Sequence, residues 1–127
     1  MNNNQLNGGV PTHVGGMTSL QTFNIGNNNG INGGIPEQLS ECSDLEVIDL
    51  SFTGLSGAYP DGVGKLPSVN DVFLQGTQIS GNLDEFFCSL RYNFVKADCL
   101  GAGAKVTCTC CHSCCDSNGE NCVDTVG

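Results

Sequence analysis

The strongest constraint on this chain is a short segment that returns at an almost fixed interval. Gly8-Gly9-Val10-Pro11, Gly33-Gly34-Ile35-Pro36 and Gly57-Ala58-Tyr59-Pro60 stand in one register, and Gly81-Asn82-Leu83-Asp84 continues it with the proline replaced. Successive copies lie 25, 24 and 24 residues apart. A unit of that length cannot bury an apolar face by itself, so the copies must stack as coils of a solenoid.

Other columns keep the same register. Three residues after the proline position stand Val14, Leu39, Val63 and Phe87; six after it stand Met17, Cys42, Leu66 and Leu90; five before it stand Leu6, Ile31, Leu55 and Ile79. Ahead of each turn an L-x-x-L-x-L pattern recurs as Leu20, Phe23, Ile25, then Leu45, Ile48, Leu50, then Val69, Val72, Leu74. A degenerate fourth copy is read as Phe94, Ala97, Cys99, with one inserted residue. The alternating end of each pattern predicts a short strand with its apolar residues inward, and stacking such strands gives a parallel sheet. Asn4, Asn28, Thr53 and Thr77 fall just after the strands, where their side chains can satisfy backbone groups left unpaired by the bend. With Thr in two copies, this ladder is expected to be weaker than one of Asn alone.

These residues resemble the plant-type leucine-rich repeat family, L-x-x-L-x-x-L-x-L-x-x-N-x-L-x-G-x-I-P, most closely in LEVIDLSFTGLSGAYPDGVGKL, Leu45 to Leu66. The resemblance runs from Leu6 to about Cys99. The ending VKADCLGAGAKVTCTCCHSCCDS is further similar to the cysteine-rich caps of leucine-rich repeat proteins predicted in diatoms and related algae. The resemblance implies an α/β solenoid, with short parallel strands on the concave face and turns, 3-10 or irregular segments on the convex face. It also implies a secreted or membrane-anchored protein that recognises proteins, peptides or glycans by surface contact. The expected division is residues 1–87 as repeats, the first truncated, and 88–127 as a degenerate last repeat with a disulfide-rich irregular cap.

Charge and cysteine usage set the partners and the compartment. Four Lys and Arg against 13 Asp and Glu give a net charge of −9, which excludes a basic footprint for nucleic acid and the clustered cations an anionic membrane attracts. Nine cysteines, mostly in the last third, point to an oxidising compartment and hence to an extracellular or cell-surface location. No export signal and no run of about 18 apolar residues occurs in this chain. Further repeats and an export signal are therefore expected upstream, and the first ~10 residues are expected to be poorly ordered.

Cys42 sits in a core column. The remaining Cys88, Cys99, Cys108, Cys110, Cys111, Cys114, Cys115 and Cys122 form an even set that fits a disulfide framework. Eight cysteines allow 105 pairings, so connectivity stays open; bridges from Cys88 and Cys99 to the later cluster are favoured over bonds between vicinal cysteines. Such bridges would cover the last repeat's apolar edge at Leu90, Phe94 and Val95. A metal site is the alternative, because Cys110-Cys111-His112-Ser113-Cys114-Cys115 contains ligand-like spacings, but these overlap instead of forming two separate pairs.

No catalytic constellation emerges and no cofactor is implied. His13 and His112 have no nucleophile and carboxylate placed beside them by the register. Asp84 and Glu85 are adjacent in a turn and read as solvated. NIGNNNGINGG, Asn24 to Gly34, lacks the lysine and following helix of a phosphate loop.

Strand residues pointing away from the core are the candidate ligand-binding set: Thr22, Asn24, Gly26, Val47, Asp49, Ser51, Asp71, Phe73, Gln75, Lys96 and Asp98. Phe73 among Asp49, Asp71 and Gln75 is the candidate recognition patch. The expected function is non-catalytic recognition of a protein, peptide or glycan as part of a longer receptor-like or secreted protein. The competing reading is a structural extracellular or cell-wall protein acting at mineral or ice surfaces through its Asn/Thr ladder. Equivalent outward residues differ between repeats, which favours a specific partner.

Overall fold

The computed structural model describes residues 7–88, 92–101 and 104–124. Its elements follow the repeat: β1 (Asn7–Gly9), a 3-10 turn (Thr12–Gly16), β2 (Thr22–Asn24), β3 (Asn28–Gly33), a 3-10 turn (Glu37–Glu41), β4 (Val47–Asp49), β5 (Thr53–Gly57) and the helical turn α1 (Asp61–Gly64). Then come β6 (Asp71–Phe73), β7 (Gln78–Ile79), β8 (Gly81–Asn82), α2 (Asp84–Phe87), β9 (Phe94–Ala97), β10 (Val106–Thr107), β11 (Ser113–Cys114) and β12 (Val123–Asp124). The expected strands from the Leu20, Leu45 and Val69 segments lie side by side in one sheet of order β12-β11-β9-β6-β4-β2. All of its pairings are parallel except that of β12 with β11.

The interior is the predicted set of columns. Phe23, Ile48, Val72 and Val95 occupy one inward row of the sheet; Ile31, Leu55 and Ile79 line the opposite wall, with Val14, Leu39, Val63 and Phe87 under the turns. Burial of such a column stabilises the coil by roughly 1.5–3 kcal/mol per large side chain, so each coil depends on its neighbour for its largest contribution. Met17 is the exception, 46% exposed in the first coil. Asn7–Gly9, within the stretch expected to be poorly ordered, pairs as β1 with β3. Residues 1–6 and 90, and with them Asn4, Leu6 and Leu90, lie outside the described residues.

Three features depart from the sequence reading. A second parallel sheet, β1-β3-β5-β7, runs where only turns and irregular segments were expected, and β8 pairs with β10 beyond it. Its strands are rich in Gly and Asn, poor strand formers, so the pairing is imposed by coil stacking and not by propensity. Close stacking explains one glycine directly: a Cβ at Gly54 would lie 2.6 Å from the Ile31 carbonyl oxygen.

The fourth L-x-x-L-x-L copy is Tyr92, Val95, Ala97, not Phe94, Ala97, Cys99. Asp71 pairs with Phe94 and Val72 with Val95, while Tyr92, Val95 and Ala97 are all buried. The coil is thus shortened by one residue relative to its predecessor instead of lengthened, and Phe94 points out of the core. The last turn also starts one residue early: Leu83 precedes α2, where Pro11, Pro36 and Pro60 precede the others. Proline locks φ and has no N–H, whereas Asp84 can enter the helical turn and its N–H bonds to Asn82 Oδ1 at 2.9 Å.

Candidate functional site

Parallel register places the outward side chains in rows across the sheet. Thr22, Val47, Asp71 and Phe94 form one row; Asn24, Asp49, Phe73 and Lys96 form the next. Adjacent members of a row are about 4.8 Å apart, and rows about 7 Å apart. Thr22 is exposed and the other seven are partly exposed. These rows are the open part of the face.

The third set is covered. Ser51, Gln75 and Asp98 are only 4%, 8% and 3% exposed, and Gly26 is buried with them. Their outward placement in the sequence reading is therefore corrected: past the strand ends the chain bends and its polar groups turn onto the protein. Ser51 donates to Asp49 Oδ1 from both N and Oγ, at 3.0 and 2.6 Å. Asp98 accepts from Gly76 N on both oxygens, at 3.1 and 3.0 Å, and its Oδ2 lies 3.5 Å from Lys105 Nζ. Burial nonetheless dominates and pushes the Asp98 carboxyl above its ordinary value, against the lowering by Gly76 and Lys105. Gln75 Oε1 is buried with no hydrogen-bond partner among the described residues.

An aromatic line crosses the open rows. The Phe73 and Phe94 ring centroids are 5.7 Å apart, and Phe94 stacks on His112 at 5.9 Å with an interplanar angle of 27°. His112 is fixed by the Val95 backbone: Val95 N donates to His112 Nδ1 at 3.0 Å, and His112 N donates to the Val95 oxygen at 2.8 Å. Sequence reasoning missed Phe94 because the misplaced register put it in the core, and missed His112 because it reads as part of the cysteine cluster.

The Asn/Thr ladder is internal. Asn28 Nδ2 donates to the oxygens of Ile25 and Gly26 at 2.8 and 3.1 Å, while the Thr53 and Thr77 hydroxyls donate to Leu50 and Leu74 oxygens at 2.8 Å. All three are buried. Their polar groups are consumed by the bend and offer no array to a mineral or ice surface.

Around the face, the cap is held by four bridges: Cys88–Cys110, Cys99–Cys114, Cys108–Cys111 and Cys115–Cys122. The first two are the long-range kind that the spacing favoured. Asp84, Cys88 and Cys110 present ligand atoms within 4.8 Å of one another, but both sulfurs are spent in a bridge. The other cluster thiols are likewise bridged, so no free thiolate there serves the metal alternative. Cys42 is free and buried, and burial raises its thiol pKa, with Glu41 adding to the effect. Asp84 is not simply solvated: it accepts from Thr109 N at 2.6 Å and Thr109 Oγ1 at 3.1 Å. His13 is exposed in the first 3-10 turn.

The Leucine Rich Repeat family model matches residues 19–42. No curated protein matches by sequence. Among solved structures, the ectodomain of the receptor kinase SOBIR1 from Arabidopsis thaliana is similar in fold, at 23% identity and TM-score 0.68 over 74% of this chain and 50% of that one. The BIR2 ectodomain from Arabidopsis thaliana shares 31% identity over 70% of this chain and 46% of that one, TM-score 0.64. The Arabidopsis receptor kinase HAESA, solved with the peptide hormone IDA and the co-receptor SERK1, shares 27% identity over 72% of this chain and 15% of that one, TM-score 0.66. The chain therefore spans between 15% and 50% of the length of these three proteins.

Proposed function

The chain is a leucine-rich repeat protein of the plant type, and from that premise we propose that it is a non-catalytic recognition module whose open sheet face binds a peptide or protein partner outside the cell. The observation that carries this reading is the open face itself. Its two rows hold different residues in each coil, Thr22, Val47, Asp71, Phe94 and Asn24, Asp49, Phe73, Lys96, with partly exposed aromatic rings among them. A structural scaffold would gain from a repeated outward residue; a specific contact needs a varied one, and aromatic anchors concentrate binding energy. The relation to receptor ectodomains and the four bridges support an oxidising, extracellular setting. On this reading residues 1–87 serve as repeats, the first truncated, and residues 88–127 as a degenerate last repeat and cap.

The test is selection from a displayed random peptide library on the oxidised chain. Enriched peptides should lose binding to Phe73→Ala and Asp71→Ala and keep it with Gln38→Ala on the convex turn. Enrichment that ignores the face substitutions, or no enrichment at all, would refute the proposal.

A further inference from the structure

We infer that the open face reads an arginine side chain of its partner, seated on Phe73 between the carboxylates of Asp49 and Asp71. This rests on the recognition reading and names the chemistry of its ligand. Acids and aromatics alternate like a chequerboard on three strands: Asp49 is opposite Phe73, Asp71 is opposite Phe94, and Asp71 precedes Phe73 by two residues on β6. The Asp49 Cα thus lies one strand spacing, about 4.8 Å, from that of Phe73, and the Asp71 Cα about 7 Å along the strand.

That arrangement calls for a planar cation. A guanidinium lies flat on an aromatic face while its edge donates to carboxylates, and it keeps its charge at any working pH; an ammonium is a more strongly hydrated point charge without the fork. Ser51 donates twice to Asp49 Oδ1, which holds that carboxylate in place before any ligand arrives. Lys96, opposite Phe73 on the cap side, repels a cation from that side and directs it toward the acids. Lys105 does not compete, since its Nζ is held by the Thr77 oxygen at 2.7 Å and by Asp98.

The Phe73 ring beside two acids matches the flat face and the five N–H donors of arginine. The chain's net charge of −9 favours the encounter at long range.

The test uses three capped tripeptides, acetyl-Ala-X-Ala-amide with X arginine, lysine or citrulline, titrated into the isotope-labelled oxidised chain and followed by NMR. Arginine should shift the Phe73 and Phe94 ring signals and the Asp49 and Asp71 amides, and should bind at least about tenfold more tightly than neutral citrulline, with lysine between. Asp71→Asn and Phe73→Leu, both at partly exposed positions, should each abolish most of that difference while leaving the amide spectrum of the other coils unchanged. Citrulline binding within about threefold of arginine, or shifts centred away from this face, would overturn the inference. Library peptides that need the face but contain no arginine would sink this proposal and leave the recognition module standing.

Discussion

Replacing Gly76 by Ala should destabilise the protein by about 2–5 kcal/mol, whereas the same change at Gly33 should cost about 1–2 kcal/mol. Both glycines have left-handed backbone, φ 74° and 83°, so both variants carry the penalty of an L-residue there. They differ in space. A Cβ at Gly33 meets nothing within 4 Å, but at Gly76 it presses onto the Phe52 ring, 2.8 Å from Cε1 and 3.1 Å from Cγ. Phe52 cannot easily yield, because it is itself left-handed at φ 55° and its ring also lies against Gly119 of the cap. The added overpacking is worth about 1–3 kcal/mol. Equilibrium urea unfolding with the bridges intact measures both costs, and thermal midpoints should fall by roughly 4 °C per kcal/mol. In a Phe52→Asn background the ring is gone and Asn tolerates the left-handed region, so Gly76→Ala should drop to the Gly33 value. Equal costs at the two glycines, or no coupling to Phe52, would refute the reasoning.

Two further predictions follow from the cap. Non-reducing peptide mapping should recover the four bridges described, with Cys42 alkylated only after unfolding; removing the Cys99–Cys114 bridge, which spans 15 residues, should cost about 3 kcal/mol in urea unfolding. The two perturbed carboxyls should show opposite pH signatures. Asp98 has a raised folded pKa, so its contribution is present in full at low pH and is lost as pH rises through that raised value. Asp116, lowered by the Asn121 side chain and the Glu120 and Asn118 N–H groups, contributes above the ordinary carboxylate range and loses that as pH falls through its lowered folded value. Urea midpoints between about pH 3 and pH 6 should therefore show the wild-type advantage over Asp98→Asn shrinking with pH and that over Asp116→Asn growing.

Much of the architecture was legible because it depends on columns that must be apolar in every coil, and Ile48, Leu55 and Val63 fall where their register requires. What escaped the sequence was whatever depends on neighbours. The second sheet has no strand propensity to announce it; it exists because Asn28 and Thr53 are aligned by the coils they terminate. The fourth coil was misread because Phe94 is as apolar as a core residue, and only pairing with Asp71 shows that it faces outward. Burial of Ser51, Gln75 and Asp98 was hidden for a related reason: alternation fixes the side on which a residue lies but not whether the following turn covers it. Bridge connectivity was undetermined because spacing cannot choose among pairings that only the folded backbone brings together.

The cap extends the open sheet face as well as covering the last coil. It grips the last full coil at three levels: Asp84 to Thr109 at the helical turn, Asp98 to Lys105 at the strand ends, and Val95 to His112 within the sheet. The same grip that covers Val95 lays His112 on Phe94, so the bridged segment completes the aromatic line begun by Phe73. Among the described residues the sheet ends on β12, which runs antiparallel to β11, is two residues long, and is tied back by Cys115–Cys122. A short reversed strand offers no parallel edge for another coil, which is how a stack with open backbone groups avoids pairing with a neighbour. Covering the last coil and completing the aromatic line of the open face are thus consequences of the same few residues.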